Sequence, residues 1–177
     1  MNFSFILLFA FFLVLFSCEN ELDSIKKITY KSSDPAERIE GLDLMYTDSG
    51  FAKVRLKAAY AESFINPSKI TKLKGGVEVF FFSSIGVIKS HLTALNGNIN
   101  EDGSVVVWDS VRFKNVANHQ WLETEELHFH TQHKSIFTNR QVIIHSKDGV
   151  LLGDGIKTTQ DFKRYDFMRP RGKLTLN

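Results

Sequence analysis

Glycine-containing dipeptides recur at short intervals through most of this chain, and they constrain its fold more than any other feature. They are Ser49-Gly50, Gly75-Gly76, Asn96-Gly97, Asp102-Gly103, Asp148-Gly149 and Asp154-Gly155. Asn-Gly and Asp-Gly pairs supply the positive φ angles that tight hairpin turns require. Between these pairs, apolar and polar residues alternate with a period of two. The pattern predicts consecutive strands joined by short turns.

The alternation also predicts which side chains share a face of the sheet. Leu127 and Phe129 fall on one face of their strand, and His128 and His130 fall on the other. The strand candidates are residues 51–60, 77–82, 104–114, 120–130, 141–144, 150–156 and 162–167.

No segment after residue 45 has a convincing 3.6-residue period. Residues 36–44 could form a short helix, although Gly41 weakens that interpretation. We therefore predict an all-β, antiparallel protein: a meander, a sandwich or an open jelly-roll-like sheet. It would form one domain over residues 39–177, after an N-terminal signal or anchor.

The N-terminus is an apolar run that stops just before Cys18, the only cysteine in the chain. Such a run before a small residue and a lone cysteine is typical of a bacterial lipoprotein signal. It predicts a signal peptide over residues 1–17, a lipid on Cys18 and a flexible tether over residues 18–38. Residues 1–17 contain no Lys or Arg, so an uncleaved anchor is the alternative. The run is nevertheless shorter than the roughly 20 residues that span a bilayer.

The charges nearly cancel, with 22 basic and 20 acidic residues, so nothing favours a nucleic-acid partner. The sequence contains no nucleophile elbow, no phosphate-binding glycine loop and no His-Glu-x-x-His motif. Gly153-Asp154-Gly155 is too short for a nucleotide site and predicts a tight turn or bulge. We expect a protein that is not an enzyme and has no cofactor.

Two side-chain clusters have chemical alternatives. His128, His130 and His133 could bind zinc in a periplasmic hydrolase, although an amphipathic strand with a solvent face explains them more simply. A basic cluster near the C-terminus could meet phosphates or an acidic partner, although basic residues also guard sheet edges. Its members are Lys163, Arg164, Arg169, Arg171 and Lys173.

The C-terminal half resembles the LptC family, whose members are the bridge component of the lipopolysaccharide-export machine. The family's "Leu-x-Thr-x-x-Leu" strand, "Thr-x-x-x-Val" strand and "Gly-x-Gly" turn occur here in the same order. The hairpin that begins near residue 46 also fits, so the resemblance covers roughly residues 40–175. The matching positions are Leu122, Thr124, Leu127, Thr138, Val142, Gly153 and Gly155.

The resemblance implies an open β-jelly-roll (OstA-like) whose apolar interior carries the acyl chains of lipopolysaccharide. Shielding is needed because each methylene exposed to water costs about 0.8 kcal/mol. The same apolar residues could instead fill the closed sandwich of a structural envelope lipoprotein. With the alternation, the resemblance assigns the lining to Val54, Leu56, Val105, Val107, Phe113, Leu127, Phe129 and Val142.

The resemblance also implies partners. The N-terminal edge would meet the inner-membrane ABC transporter, and an outgoing edge over residues 149–176 would meet a periplasmic bridge protein by β-augmentation. Gly153 and Gly155 lie on that outgoing edge, and we expect Gly153→Arg to weaken the link while leaving the fold intact. Many members keep a transmembrane helix, so a lipid on Cys18 departs from the family pattern. The family's role places the protein at the inner membrane, with the outer membrane as the alternative.

Overall fold

The computed structural model describes residues 34–130, 133 and 135–174. Within them the chain forms strands and no helix, which confirms the all-β, antiparallel prediction. The strands are β1 (Glu37–Asp48), β2 (Phe51–Phe64), β3 (Ile70–Phe82), β4 (Ile88–Ala94), β5 (Asn96–Asn100), β6 (Val105–Asn115), β7 (Gln120–His130), β8 (Ser135–Ser146), β9 (Gly149–Thr159) and β10 (Tyr165–Leu174).

The ten strands form one antiparallel sheet whose spatial order nearly follows the chain: β1-β2-β3-β4-β6-β7-β8-β9-β10. The short strand β5 lies off this path and pairs with β3 and β6. Strands β4 and β5 therefore share one position in the sheet, and Leu95 separates them. Strands β1 and β10 are the two edges.

A line of backbone irregularities crosses the sheet near the middle of its strands. The register between β2 and β3 shifts from Ala58 to Tyr60, and the register between β7 and β8 shifts from Thr124 to His128. Residues with positive φ mark the same line in other strands: Gly41 in β1, Gly75 and Gly76 in β3, Asp109 and Ser110 in β6, and Gly155 in β9. Bulges increase the local twist and bend a sheet.

The sheet folds over along this line. In the strand pairing, Phe81 is opposite Ser90, Ser90 is opposite Asn115, and Asn115 is opposite Gln120. Gln120 and Phe129 lie at opposite ends of β7. A flat sheet would hold Phe81 and Phe129 roughly 30 Å apart. Their ring centroids are instead 5.7 Å apart, in an edge-to-face arrangement. We call the part with the β1–β2, β3–β4, β6–β7 and β8–β9 turns the first wall, and the other part the second wall.

Some glycine pairs behave as predicted and others do not. Ser49-Gly50 and Asp102-Gly103 form turns, and a turn also precedes Gly149. Gly75-Gly76, Asn96-Gly97 and Asp154-Gly155 lie inside strands, so the turns predicted there are wrong. Gly155 satisfies the bulge prediction, because its φ is +75° beside the register shift between β8 and β9.

The sequence-based strand assignment also fails elsewhere. The possible helix at residues 36–44 is wrong, because β1 occupies this segment; it begins at Glu37, within the stretch assigned to the tether. Strands β4 and β5 were not predicted. Strand β10 begins at Tyr165, so the predicted strand over residues 162–167 starts too early.

Candidate functional site

An apolar cavity of about 60 Å³ lies between the two walls. Six of the eight predicted lining residues border it: Val54, Leu56, Val105, Val107, Leu127 and Phe129. Both walls contribute, so the folding of the sheet creates the site. The alternation predicted that these side chains share one face of the sheet, and this face is the one that lines the interior.

The other two predicted lining residues, Phe113 and Val142, are completely buried in the same core but do not border the cavity. The sequence analysis missed five residues that do border it, namely Val79, Phe81, Leu92, His128 and Ile136. Val79 and Phe81 belong to the predicted run 77–82, which is apolar on both faces. Their neighbours Phe80 and Phe82 obscured which side chains point inward.

The interior face remains uncovered at one edge of the sheet. Leu44 and Tyr46 of β1 are paired with the cavity residues Leu56 and Val54 of β2. Both are large apolar side chains, yet Leu44 is 51% exposed and Tyr46 is 58% exposed. An apolar surface therefore continues from the cavity to the β1 edge. The sequence signal for it was alternation in the segment that had been considered as a helix.

Although His128 borders the cavity, its side chain lies on the face of β7 opposite Phe129, as the alternation predicts. Its ring stacks on Phe137 with centroids 5.0 Å apart, and its Nε2 lies 2.9 Å from Oε1 of Glu126. His130 instead approaches His133, with ring centroids 5.4 Å apart. Within the described ranges, no three His, Cys, Asp or Glu side chains are grouped to hold a metal ion. The geometry therefore does not support the zinc hypothesis.

The outer surface near the cavity carries a second histidine in an unusual setting. His91 stacks almost parallel on Phe80, with ring centroids 4.3 Å apart, and its buried Nε2 has no hydrogen-bond partner among the described residues. Burial lowers the pKa of His91, and nearby Lys114 acts in the same direction. The carboxylate of Glu78, 3.7 Å away, opposes this effect. Burial therefore favours the neutral imidazole.

The space beside Gly153 is occupied. A Cβ at this position would lie 2.4 Å from Cδ1 of Phe167 on β10. The expectation that Gly153→Arg leaves the fold intact therefore conflicts with the geometry, because Phe167 would have to move. A Cβ on Gly155 would likewise come within 2.8 Å of the sulfur of Met168. Both glycines determine how β10 packs against β9.

The C-terminal basic cluster is partly neutralised within the sheet. Arg171 donates from Nε to Oδ2 of Asp154 at 2.6 Å, across the β9–β10 pair. Although burial opposes the shift, hydrogen bonds and the nearby positive charge of Lys163 lower the pKa of the Asp161 carboxyl group. Arg169 belongs to the strand pair, opposite Asp154. The arrangement fits a solvated sheet edge better than a phosphate site.

Cys18, the signal peptide and most of the tether lie outside the described residues. Among the residues that are described, no helix is long and apolar enough to cross a membrane.

Comparison with known proteins identifies the family of this chain. No curated protein gave a significant match to the sequence. The model of the family described as "Lipopolysaccharide-assembly, LptC-related" matches residues 5–168. That match spans both walls and most of the chain, so the protein belongs to the LptC-related family of lipopolysaccharide-assembly proteins.

Proposed function

We propose that this protein is a membrane-anchored periplasmic component of lipopolysaccharide export and is not an enzyme. It would accept lipopolysaccharide from the inner-membrane ABC transporter and pass it to a periplasmic bridge protein. ATP hydrolysis would belong to its partners. Family membership supports participation in lipopolysaccharide assembly. The observation that carries the proposal is the apolar interior, which continues to the exposed Leu44 and Tyr46 at the β1 edge.

The two sheet edges offer a docking site for each of the two proposed partners. Among the described residues, β1 pairs only with β2, and β10 pairs only with β9. Unpaired strand edges recruit neighbouring chains by adding a strand. In the proposal, β1 faces the transporter and β10 faces the bridge protein. A lipid on Cys18 would hold the domain at the inner membrane.

A structural envelope lipoprotein with a closed sandwich is the second candidate. The observation in its favour is the size of the cavity. At about 60 Å³ it is smaller than the roughly 150 Å³ cavity that admits a benzene ring. In such a protein the interior would serve stability alone.

Site-specific photocrosslinking in cells separates the two candidates. A photoreactive residue at Phe129 would point into the interior, and the matched control at His128 would point outward. We expect a lipopolysaccharide adduct from position 129 and none from position 128. In the same cells, metabolic labelling with a fatty acid should mark the protein, and Cys18→Ser should abolish that label.

An adduct from neither position, in a folded and membrane-attached protein, would contradict lipid transfer and favour the structural candidate. An adduct from His128 alone would contradict an interior path.

A further inference from the structure

Residues 160–165, which comprise the connection between β9 and β10 and the first residue of β10, join the second wall to the first. The side chain of Ser90 on β4 donates a hydrogen bond to the carbonyl oxygen of Gln160. The side-chain amide of Asn115 on β6 donates to the carbonyl oxygen of Asp161 at 2.6 Å. Ser90 and Asn115 are buried and belong to the first wall. These hydrogen bonds therefore connect the two walls directly.

Apolar contacts reinforce the bridge. Phe162 is completely buried, and its ring centroid lies 5.4 Å from that of Phe113 on the first wall. Its ring centroid also lies 5.6 Å from that of Tyr165. Phe162 therefore closes the end of the core where the two walls meet.

The bridging segment has a strained backbone. Phe162 has a φ of +46°, a left-handed conformation that is unfavourable for a bulky L-residue. Such conformations persist only where surrounding contacts enforce them. Here the enforcing contacts are the hydrogen bonds from Ser90 and Asn115 and the packing on Phe113. Once those contacts are broken, relief of the backbone strain at Phe162 favours movement of the segment away from the first wall.

The cavity between the walls must enlarge before it can hold an acyl chain, because about 60 Å³ is too little even for one small ring. Separation of the walls replaces apolar contacts such as Phe81–Phe129 with contacts to the lipid. An acyl chain cannot replace the hydrogen bonds from Ser90 and Asn115 to residues 160–165, so these bonds oppose separation of the walls.

We propose that residues 160–165 are a clamp that holds the walls together, and that its release admits acyl chains to the interior. The inference rests on the proposed lipid-transfer function.

The test compares two variants that each lose one buried hydroxyl hydrogen bond. Ser90→Ala removes a bond between the walls. Thr124→Val removes the bond from Thr124 to the carbonyl oxygen of Gln141, 2.8 Å long, between the neighbouring strands β7 and β8. With the full-length protein and the photoreactive residue at Phe129, we expect Ser90→Ala to raise the lipid adduct about fivefold, as the loss of one hydrogen bond predicts. Thr124→Val should leave it unchanged.

Equal adducts from the two variants would overturn the clamp. An adduct missing from every protein, including the unaltered one, would contradict the lipid-transfer function instead. In that case, amide hydrogen exchange tests the clamp in the absence of lipid. The N–H of Phe162, bonded to the carbonyl oxygen of Thr159 at 2.9 Å, should exchange while β6 and β7 stay protected, and faster in Ser90→Ala. Exchange of Phe162 only through global unfolding would overturn the proposal.

Discussion

At position 153 the side chain is hydrogen because the ring of Phe167 fills the adjacent space. Gly153 is buried on β9 and faces β10 directly, paired with Pro170. Its φ does not lie in the left-handed region, so backbone freedom is not the reason for glycine here. The reason is close approach, which a single methyl group would prevent.

A double-mutant cycle tests this explanation. Gly153→Ala should destabilise the protein by about 1–3 kcal/mol, the usual cost of overpacking. In Phe167→Ala the ring is gone, so the added methyl group should cost much less. The two changes should therefore be less destabilising together than the sum of the single effects, measured by urea unfolding. Strict additivity would show that Phe167 is not what excludes a side chain at this position.

Single residues also show where periodicity succeeds as a predictor. Alternation alone placed Phe129 inward and His128 outward, because neighbouring strand residues point to opposite faces whatever the rest of the sheet does. It failed at Phe162, which was assigned to a strand but lies in the β9–β10 connection. The ring of Phe162 is buried by a partner on the other wall, Phe113, and no local pattern reports that contact.

Individual strands are kinked by residues that the sequence marked only ambiguously. Gly75 and Gly76 could signal a hairpin turn or a bulge, since both require positive φ. They form an irregularity within β3, opposite the register shift in β2. Strands β4 and β5 were missed because they are short and contain several polar residues.

A substitution at Gly76 should affect the kink in β3 only through the backbone conformation. Its φ is +105°, and no atom of the described residues lies within 4 Å of an added Cβ. Gly76→Ala should therefore cost at least the roughly 1–2 kcal/mol typical of a left-handed L-residue. Gly172→Ala is the matched control, because that site has equal space and no left-handed φ. If urea unfolding gave both variants the same stability, strain at the kink would not be the cause.

Across the whole molecule, several ionisable groups make the folded state less stable as the pH falls. Hydrogen bonds from Arg55 lower the pKa of Asp43, and those from Lys74 lower the pKa of Glu62. A carboxyl group with a depressed pKa stabilises the folded state above its ordinary pKa, and this stability is lost as pH falls through the folded value. His91, whose pKa burial lowers from 6.5, favours the folded state while neutral and is destabilising once protonated.

We therefore expect the free energy of unfolding to decrease below about pH 6.5, and more steeply below about pH 4.5. Urea unfolding at a series of pH values measures both phases. His91→Phe keeps an aromatic ring beside Phe80 and should weaken the first phase only. If the first phase of the decrease were unchanged in His91→Phe, groups other than His91 would be its cause.

The folding of the sheet into two walls is the feature that sequence could not supply. Periodicity specifies the two faces of each strand, and it identified six of the residues that border the cavity. The contact between Phe81 and Phe129 depends on bulges in several intervening strands acting together. Their combined bend is a property of the whole sheet. The family resemblance supplied the expectation of a jelly-roll that the local pattern alone left open.

The nearly sequential strand order has a consequence for how the chain is built. Each new strand finds its neighbour in the strand just completed, apart from the shared position of β4 and β5. Loop-closure entropy stays small at every step, which favours rapid folding for an all-β protein. A chain that emerges N-terminus first could thus pair its strands as they appear. Docking of residues 160–165 onto β4 and β6 would come last, as the step that completes the domain.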